Sequence, residues 1–145
     1  MEKIVFDSGM KEYRMGGGVL RFNPGDPNLY VRFMEAVDKM KDVEEGLARK
    51  AREWDEAGGE AIVKLMGEAD RQMKELLSWV FGPQNDFDKL LGGVNLLAVA
   101  GNGERVVTNV FRALEPVLTE GAKRCAGQQT AAAVQQARKR RAAQC

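Results

Sequence analysis

Nucleophilic catalysis needs a hydroxyl or thiol beside a base, and this chain offers few candidates for either. Its only serines are Ser8, in a turn, and Ser78, on a helix, and it has no histidine to pair with them. Adjacent carboxylates occur at Glu44-Glu45 and Asp55-Glu56, but neighbours on a helix point about 100° apart, so both pairs read as solvated helical face. Asn85, Asp86 and Asp88 carry oxygens that suit a hard cation, yet they also suit the cap of a short helix, and capping is the reading adopted. Gly16-Gly17-Gly18 lacks the Lys-Ser/Thr of a phosphate-binding loop, and Gly101-Asn102-Gly103 lacks the third glycine of a dinucleotide fingerprint. No catalytic residue, metal ligand or cofactor site is assigned. One cluster still invites a ligand: Arg138, Lys139, Arg140 and Arg141 supply the fixed positive charge that phosphates require. No aromatic residue lies among them for base stacking, so they read first as a solvated basic arm.

The elements that would carry these residues are mostly helical. At 145 residues the chain is long enough for one domain with a core, burying roughly 70% of the surface its unfolded form exposes. Hydrophobic residues at 44% and charged residues at 30% are ordinary for a globular protein, which argues against disorder. The longest apolar run, Val94 to Ala100, is far too short to span a bilayer, and the first residues lack the apolar core of a signal peptide. The expected location is the cytoplasm. Cys125 and Cys145 both fall in the carboxy-terminal tail, where a disulfide would staple no core, so they read as reduced bystanders. Six of the 22 basic residues follow Glu120, where there is no acid. That leaves 16 against 21 acids in front of it, a balance of −5. A mildly acidic body thus carries a basic tail.

Along the chain, Lys3-Ile-Val-Phe-Asp7, Lys11 to Met15 and Val19 to Phe22 read as short strands, with a hairpin through Gly16-Gly17-Gly18. Pro24-Gly25 fits the centre of a type II turn. Asp26 then suits the N-cap of a long helix and Pro27 its first position. Phe33, Met40, Leu47 and Trp54 recur every seventh residue along that helix, which should run to about Ala57 and end at Gly58-Gly59. A second helix from Glu60 carries Ile62, Met66, Ala69, Met73, Leu76 and Val80 at alternating steps of four and three, and stops at Gly82-Pro83. A short helix from Phe87 to Leu91, capped by Asn85 or Asp86, ends at Gly92-Gly93. The segment from Val94 to Ala100 fits either a helical turn or a buried extended piece. From Glu104 a further amphipathic helix carries Val106, Val107, Val110, Phe111, Leu114, Val117 and Leu118, with a kink or break expected at Pro116. The last residues, nearly all Ala, Gln, Arg and Lys, have helix propensity without an apolar face, and fraying is expected unless a partner covers them.

The expected fold is α+β, mostly α: an N-terminal β-hairpin or small antiparallel sheet packed on a bundle of three to four helices, then a basic C-terminal tail. Residues 1–120 form one domain, with a β start over 1–25 and a helical part over 26–120, and residues 121–145 form the tail. Methionine packs adaptably, so the faces carrying Phe33, Met40, Leu47, Trp54, Met66 and Met73 serve either as core or as a candidate partner-binding face.

The order of Phe22-Asn23-Pro24-Gly25-Asp26-Pro27, a long helix, Val80-Phe81-Gly82 and Asp86-Phe87-Asp88-Lys89-Leu90-Leu91-Gly92-Gly93 resembles the tail assembly chaperone-like proteins of long-tailed phages and of prophages in Gram-positive hosts. In that family a last helix rich in Val, Phe and Leu with a mid-helix proline follows, and Glu104 to Glu120, with Pro116, occupies its place here. The resemblance covers about Ile4 to Glu120 and leaves the basic tail outside. It implies a non-catalytic protein that binds the helical tape measure protein before the tail tube polymerises around it. The tail tube protein is a second candidate partner, and some family members also exist in a frameshift-extended form. Two other readings stand beside it. One is a structural tail component that forms a homo-oligomer through the heptad seam; the other, the runner-up function, is a small nucleic-acid-binding protein using the basic tail, although no base-reading element stands nearby.

Overall fold

A computed structural model of the protein describes residues 1–53 and 59–144. Two strands, β1 (Lys11–Met15) and β2 (Gly18–Phe22), form an antiparallel hairpin in which Lys11 pairs with Phe22 and Met15 with Gly18. Four helices follow: α1 (Pro27–Glu53), α2 (Gly59–Phe81), α3 (Phe87–Leu90) and α4 (Val106–Gln144). The fold is α+β and mostly helical, with the small sheet at its N-terminal end, as the patterning leads one to expect.

The hairpin turns on two residues, and of the glycine triplet only Gly16 takes a positive φ, +57°. Glycine is the residue that reaches that angle without strain, and a positive φ at the first central position fits the type II′ turn of a twisted hairpin. The strand expected over residues 3–7 does not form. Ile4, Val5 and Phe6 are 89%, 79% and 78% exposed and pair with nothing among the described residues. β-propensity alone does not make a strand, because a strand also needs pairing to a neighbouring edge, and this segment makes none.

The turn before α1 also differs from expectation. Asp26 N–H bonds the Asn23 carbonyl at 3.2 Å around Pro24 and Gly25, but Gly25 is not among the positive-φ glycines, so the type II geometry is absent. Asn23 sets the turn instead, its Oδ1 accepting the Gly25 N–H at 2.8 Å. The Pro24 carbonyl is taken by the Tyr30 hydroxyl at 2.6 Å. Asp26 caps α1 as expected, its Oδ1 accepting from Asn28 N–H at 3.0 Å.

Helices α1 and α2 form the main packing pair. They run antiparallel: Arg32, near the start of α1, donates from Nε to the Val80 carbonyl near the end of α2 at 3.1 Å, satisfying one orphan C-terminal acceptor. Leu29, Ala36 and Met40 bury the face of α1, and Ala69, Met73, Leu77, Val80 and Phe81 that of α2. Residues 54–58, with Trp54 and the expected helix end near Ala57, lie outside the described residues. An aromatic chain ties the sheet to the helices: Tyr13 stacks on Phe22 at 4.9 Å, Phe22 meets Phe81 edge-on at 5.0 Å, and Phe81 meets Phe87 at 5.6 Å.

The segment after α3 is neither a helix nor an extended strand but a run of turns pinned from two sides. Leu96 N–H donates to Asp70 Oδ1 at 2.8 Å and Asn95 Nδ2 to the Met66 carbonyl at 3.1 Å, both on α2. Its own carbonyls at Leu96 and Ala98 accept the Val107 and Val106 N–H groups, each at 2.8 Å, and so cap α4. The helix therefore starts at Val106, two residues later than expected. Pro116 does not interrupt it. The proline sits on the exposed side, where the carbonyl left without its usual partner meets water. Val107, Val110, Leu114, Leu118 and Cys125 form a buried stripe at steps of three, four and seven. α4 then continues through the segment expected to fray, and every described side chain from Ala126 onward is exposed.

Candidate functional site

The six residues of the candidate partner-binding face do not form one surface. Met40 and Met73 are spent inside the α1–α2 packing, 4% and 0% exposed, so the heptad seam is internal at those positions. Two apolar faces on helices joined by a short connection bury each other before they can reach another molecule. Met66 is half-buried against the core, and the Asn95 side chain covers its carbonyl. Trp54 lies outside the described residues. Phe33 and Leu47 remain partly open, in two different places.

Leu47 lines a cleft of about 290 Å³ between α1 and α2 with Val43, Leu65 and Ala69. Phe33 lines a larger groove, about 490 Å³, between α1 and α4. Its floor is Phe33, Phe111 and Leu118, the two rings meeting edge-on at 5.9 Å, and its rim is Thr108, Arg112, Glu115 and Thr119. Sequence periodicity finds Phe111 as an apolar helix position. It does not show that the α4 stripe and the α1 stripe diverge here and leave their aromatics half-covered.

A third concavity, about 770 Å³, lies beside α2 and α3. At its base is Lys74, a charged residue only 6% exposed. Its ammonium bonds Asp70 Oδ2 at 2.8 Å, one helical turn back, and Asp88 Oδ1 on α3 at 2.7 Å. Burial on its own lowers the Lys74 pKa, but the hydrogen bonds and charges of Asp70 and Asp88 outweigh it and hold the amine above its usual range. Lys74 is thus a charged clamp, with no neutral amine at ordinary pH. Trp79 stands at the rim, with Lys39 Nζ 5.0 Å from its ring centroid. The Asp70–Lys74 pair is readable as an i, i+4 spacing. Nothing local announces Asp88 as the second partner.

The oxygens first weighed as cation ligands are each engaged elsewhere. Asp86 caps α3, its Oδ1 accepting from Asp88 and Lys89 N–H at 3.1 and 3.3 Å. Asp88 holds Lys74. Asn85 is 2% exposed and acts as a substitute strand. Its Oδ1 accepts the Arg21 N–H at 2.9 Å and its Nδ2 donates to the Arg21 carbonyl at 2.8 Å and to the Phe81 carbonyl at 3.0 Å. Among the described residues no group of three or more His, Cys, Asp and Glu converges as a metal site.

The basic arm, Arg138, Lys139, Arg140 and Arg141, stands exposed near the end of α4. Consecutive helical positions turn about 100° each, so the four charges surround the axis and only Arg138 and Arg141 share a face. No described helix is long and apolar enough to cross a membrane. Comparison with known protein families, curated proteins and solved structures finds no match to the chain.

Proposed function

We propose that this protein is a tail assembly chaperone-like protein, without catalytic activity, that binds a phage or prophage tape measure protein during tail morphogenesis in the cytoplasm of the bacterial host. The order of its turn, helix and Val80-Phe81-Gly82 motifs motivates the reading, and the α1–α4 groove is the observation that supports it. Phe33, Phe111 and Leu118 offer an apolar floor beside a polar rim on α4, a form that accepts one stripe of an amphipathic helix. A tape measure is a chain of long apolar-striped helices that aggregates when bare, so covering such stripes is the whole of the task. No reacting group is required for it.

Co-expression with the neighbouring tape measure gene tests the proposal. The expected outcome is a soluble tape measure that co-elutes with this chain. Thr119→Glu, which adds a charge on the groove rim from an exposed position, is expected to weaken the complex while the free protein stays helical. A tape measure that stays equally insoluble, with no complex eluting, removes the reading.

A further inference from the structure

The two edges of the hairpin are treated differently. Asn85 bonds both the N–H and the carbonyl of Arg21, so these groups point away from β1, and the outer edge of β2 is covered at Arg21. Arg21 faces Glu12 across the ladder, so that pair exchanges no backbone hydrogen bonds. The N–H and carbonyl of Glu12, and of Arg14 two residues on, therefore point outward from β1. Among the described residues nothing bonds them. The outer edge of β1 is open.

The same chain carries an unpaired segment of matching length. Residues 3–7, Lys-Ile-Val-Phe-Asp, would form a strand of about 17 Å at 3.4 Å per residue, as long as five-residue β1. Its three apolar side chains are nearly fully exposed on both faces, so it lies on no surface of its own molecule. Nor is it paired with its own β1. The Ser8 carbonyl accepts from Asn23 Nδ2 at 3.0 Å, and Gly9 N–H bonds Asp7 Oδ1 at 2.8 Å. These bonds hold the root of the arm against Asn23, the residue just beyond the end of β2.

We infer that residues 3–7 of this chain add as a third strand to the open β1 edge of a second copy, and that the exchange is reciprocal, giving a two-fold dimer. Alternation places Ile4 and Phe6 on one face, where they extend the half-buried Tyr13 and Met15, and Lys3 and Val5 on the other, beside Glu12 and Arg14. An isologous pairing uses the same arm and the same edge on both subunits, so one interface closes the assembly and leaves no open β1 edge. The partner is the chain itself because it holds both halves of the contact.

Sedimentation of the full chain over a concentration series tests the inference. The expected result is a reversible monomer–dimer equilibrium, with the dimer lost on adding excess peptide of residues 1–8. Ile4→Asp with Phe6→Asp should raise the dimer Kd at least ten-fold, the far-ultraviolet circular dichroism being unchanged because neither side chain touches the core. Glu12→Pro should do the same, since it removes an N–H that points outward and spares the bonds to β2. If Glu12→Pro unfolds the hairpin, the double variant alone decides. A full chain that is monomeric at every concentration, or a double variant that dimerises as tightly as the parent, overturns the inference.

Discussion

Three residues carry more of this fold than their types suggest. Asn85 links β2, the end of α2 and the start of α3 through three side-chain hydrogen bonds in a buried site. Asn85→Ala leaves the Arg21 N–H and two carbonyls without partners, and is expected to cost about 3 kcal/mol in urea unfolding. Asn85→Asp should be no better at neutral pH, because it replaces a donor to two carbonyls with a charge. Lys74→Met is expected to cost about 3 kcal/mol, since it strands Asp70 and Asp88 around a lost cation. That cost has a pH signature. The folded pKa of Lys74 is raised above its ordinary 10.5, so the ion pair's contribution is fully present below pH 10.5 and is lost as pH rises through the folded value. The stability gap between parent and Lys74→Met should hold steady from about pH 7 to 10 and close above that. A gap that widens in base would contradict the assignment. Gly121 is the third: an added Cβ would stand 2.6 Å from the Pro24 carbonyl and against the Tyr30 hydroxyl. Gly121→Ala should destabilise by about 1–3 kcal/mol, measured as a lowered urea midpoint with an unchanged slope.

At the scale of elements, α4 shows where sequence reading reaches and where it stops. The hairpin, α1 with its Asp26 cap, α2 and its stop at Gly82, and Asp86-capped α3 are all legible, because each is written in local periodicity and turn chemistry. The boundary between body and tail is not. Expected at Glu120, it falls after Cys125, whose thiol is buried. Two small residues in an Ala-rich run give no apolar signal, and Gly121 matters only because α1 and the Asn23–Asp26 turn come close to it. The same reason hides Lys74 and Asn85, whose partners are distant in sequence. The arm at residues 3–7 fails in the opposite sense: its composition is that of a strand, but pairing is not a local property. Truncation measures the boundary. Removing residues 126–145 should leave stability within about 0.5 kcal/mol, since no described side chain there is buried. Removing residues 121–145 should be clearly destabilising through loss of Gly121 and Cys125 packing. In hydrogen exchange, the amides from Gln128 onward should show little protection beside those of Val110 to Leu118.

The whole molecule is a mildly acidic body with an exposed basic helix projecting from it, and the helical form of that tail limits what its charge can do. Four adjacent cations on an extended chain could follow a phosphate backbone one after another. On a helix they circle the axis, and a duplex meets Arg138 and Arg141 together but not Lys139 and Arg140 at the same time. Counterion release then corresponds to about two phosphates, and log K should fall with log salt at a slope of about −2. A negative balance on residues 1–120 further opposes approach of a polyanion. The expected outcome of a fluorescence anisotropy titration with duplex DNA is weak, sequence-indifferent binding at low salt and almost none at physiological salt. Deleting residues 126–145 should abolish the low-salt signal, since it removes all four arm charges. A slope near −4, or binding that persists at physiological salt and disappears on truncation, would mean that the tail unwinds on the ligand to present its charges in line, and would move nucleic acid ahead of a protein helix as the partner.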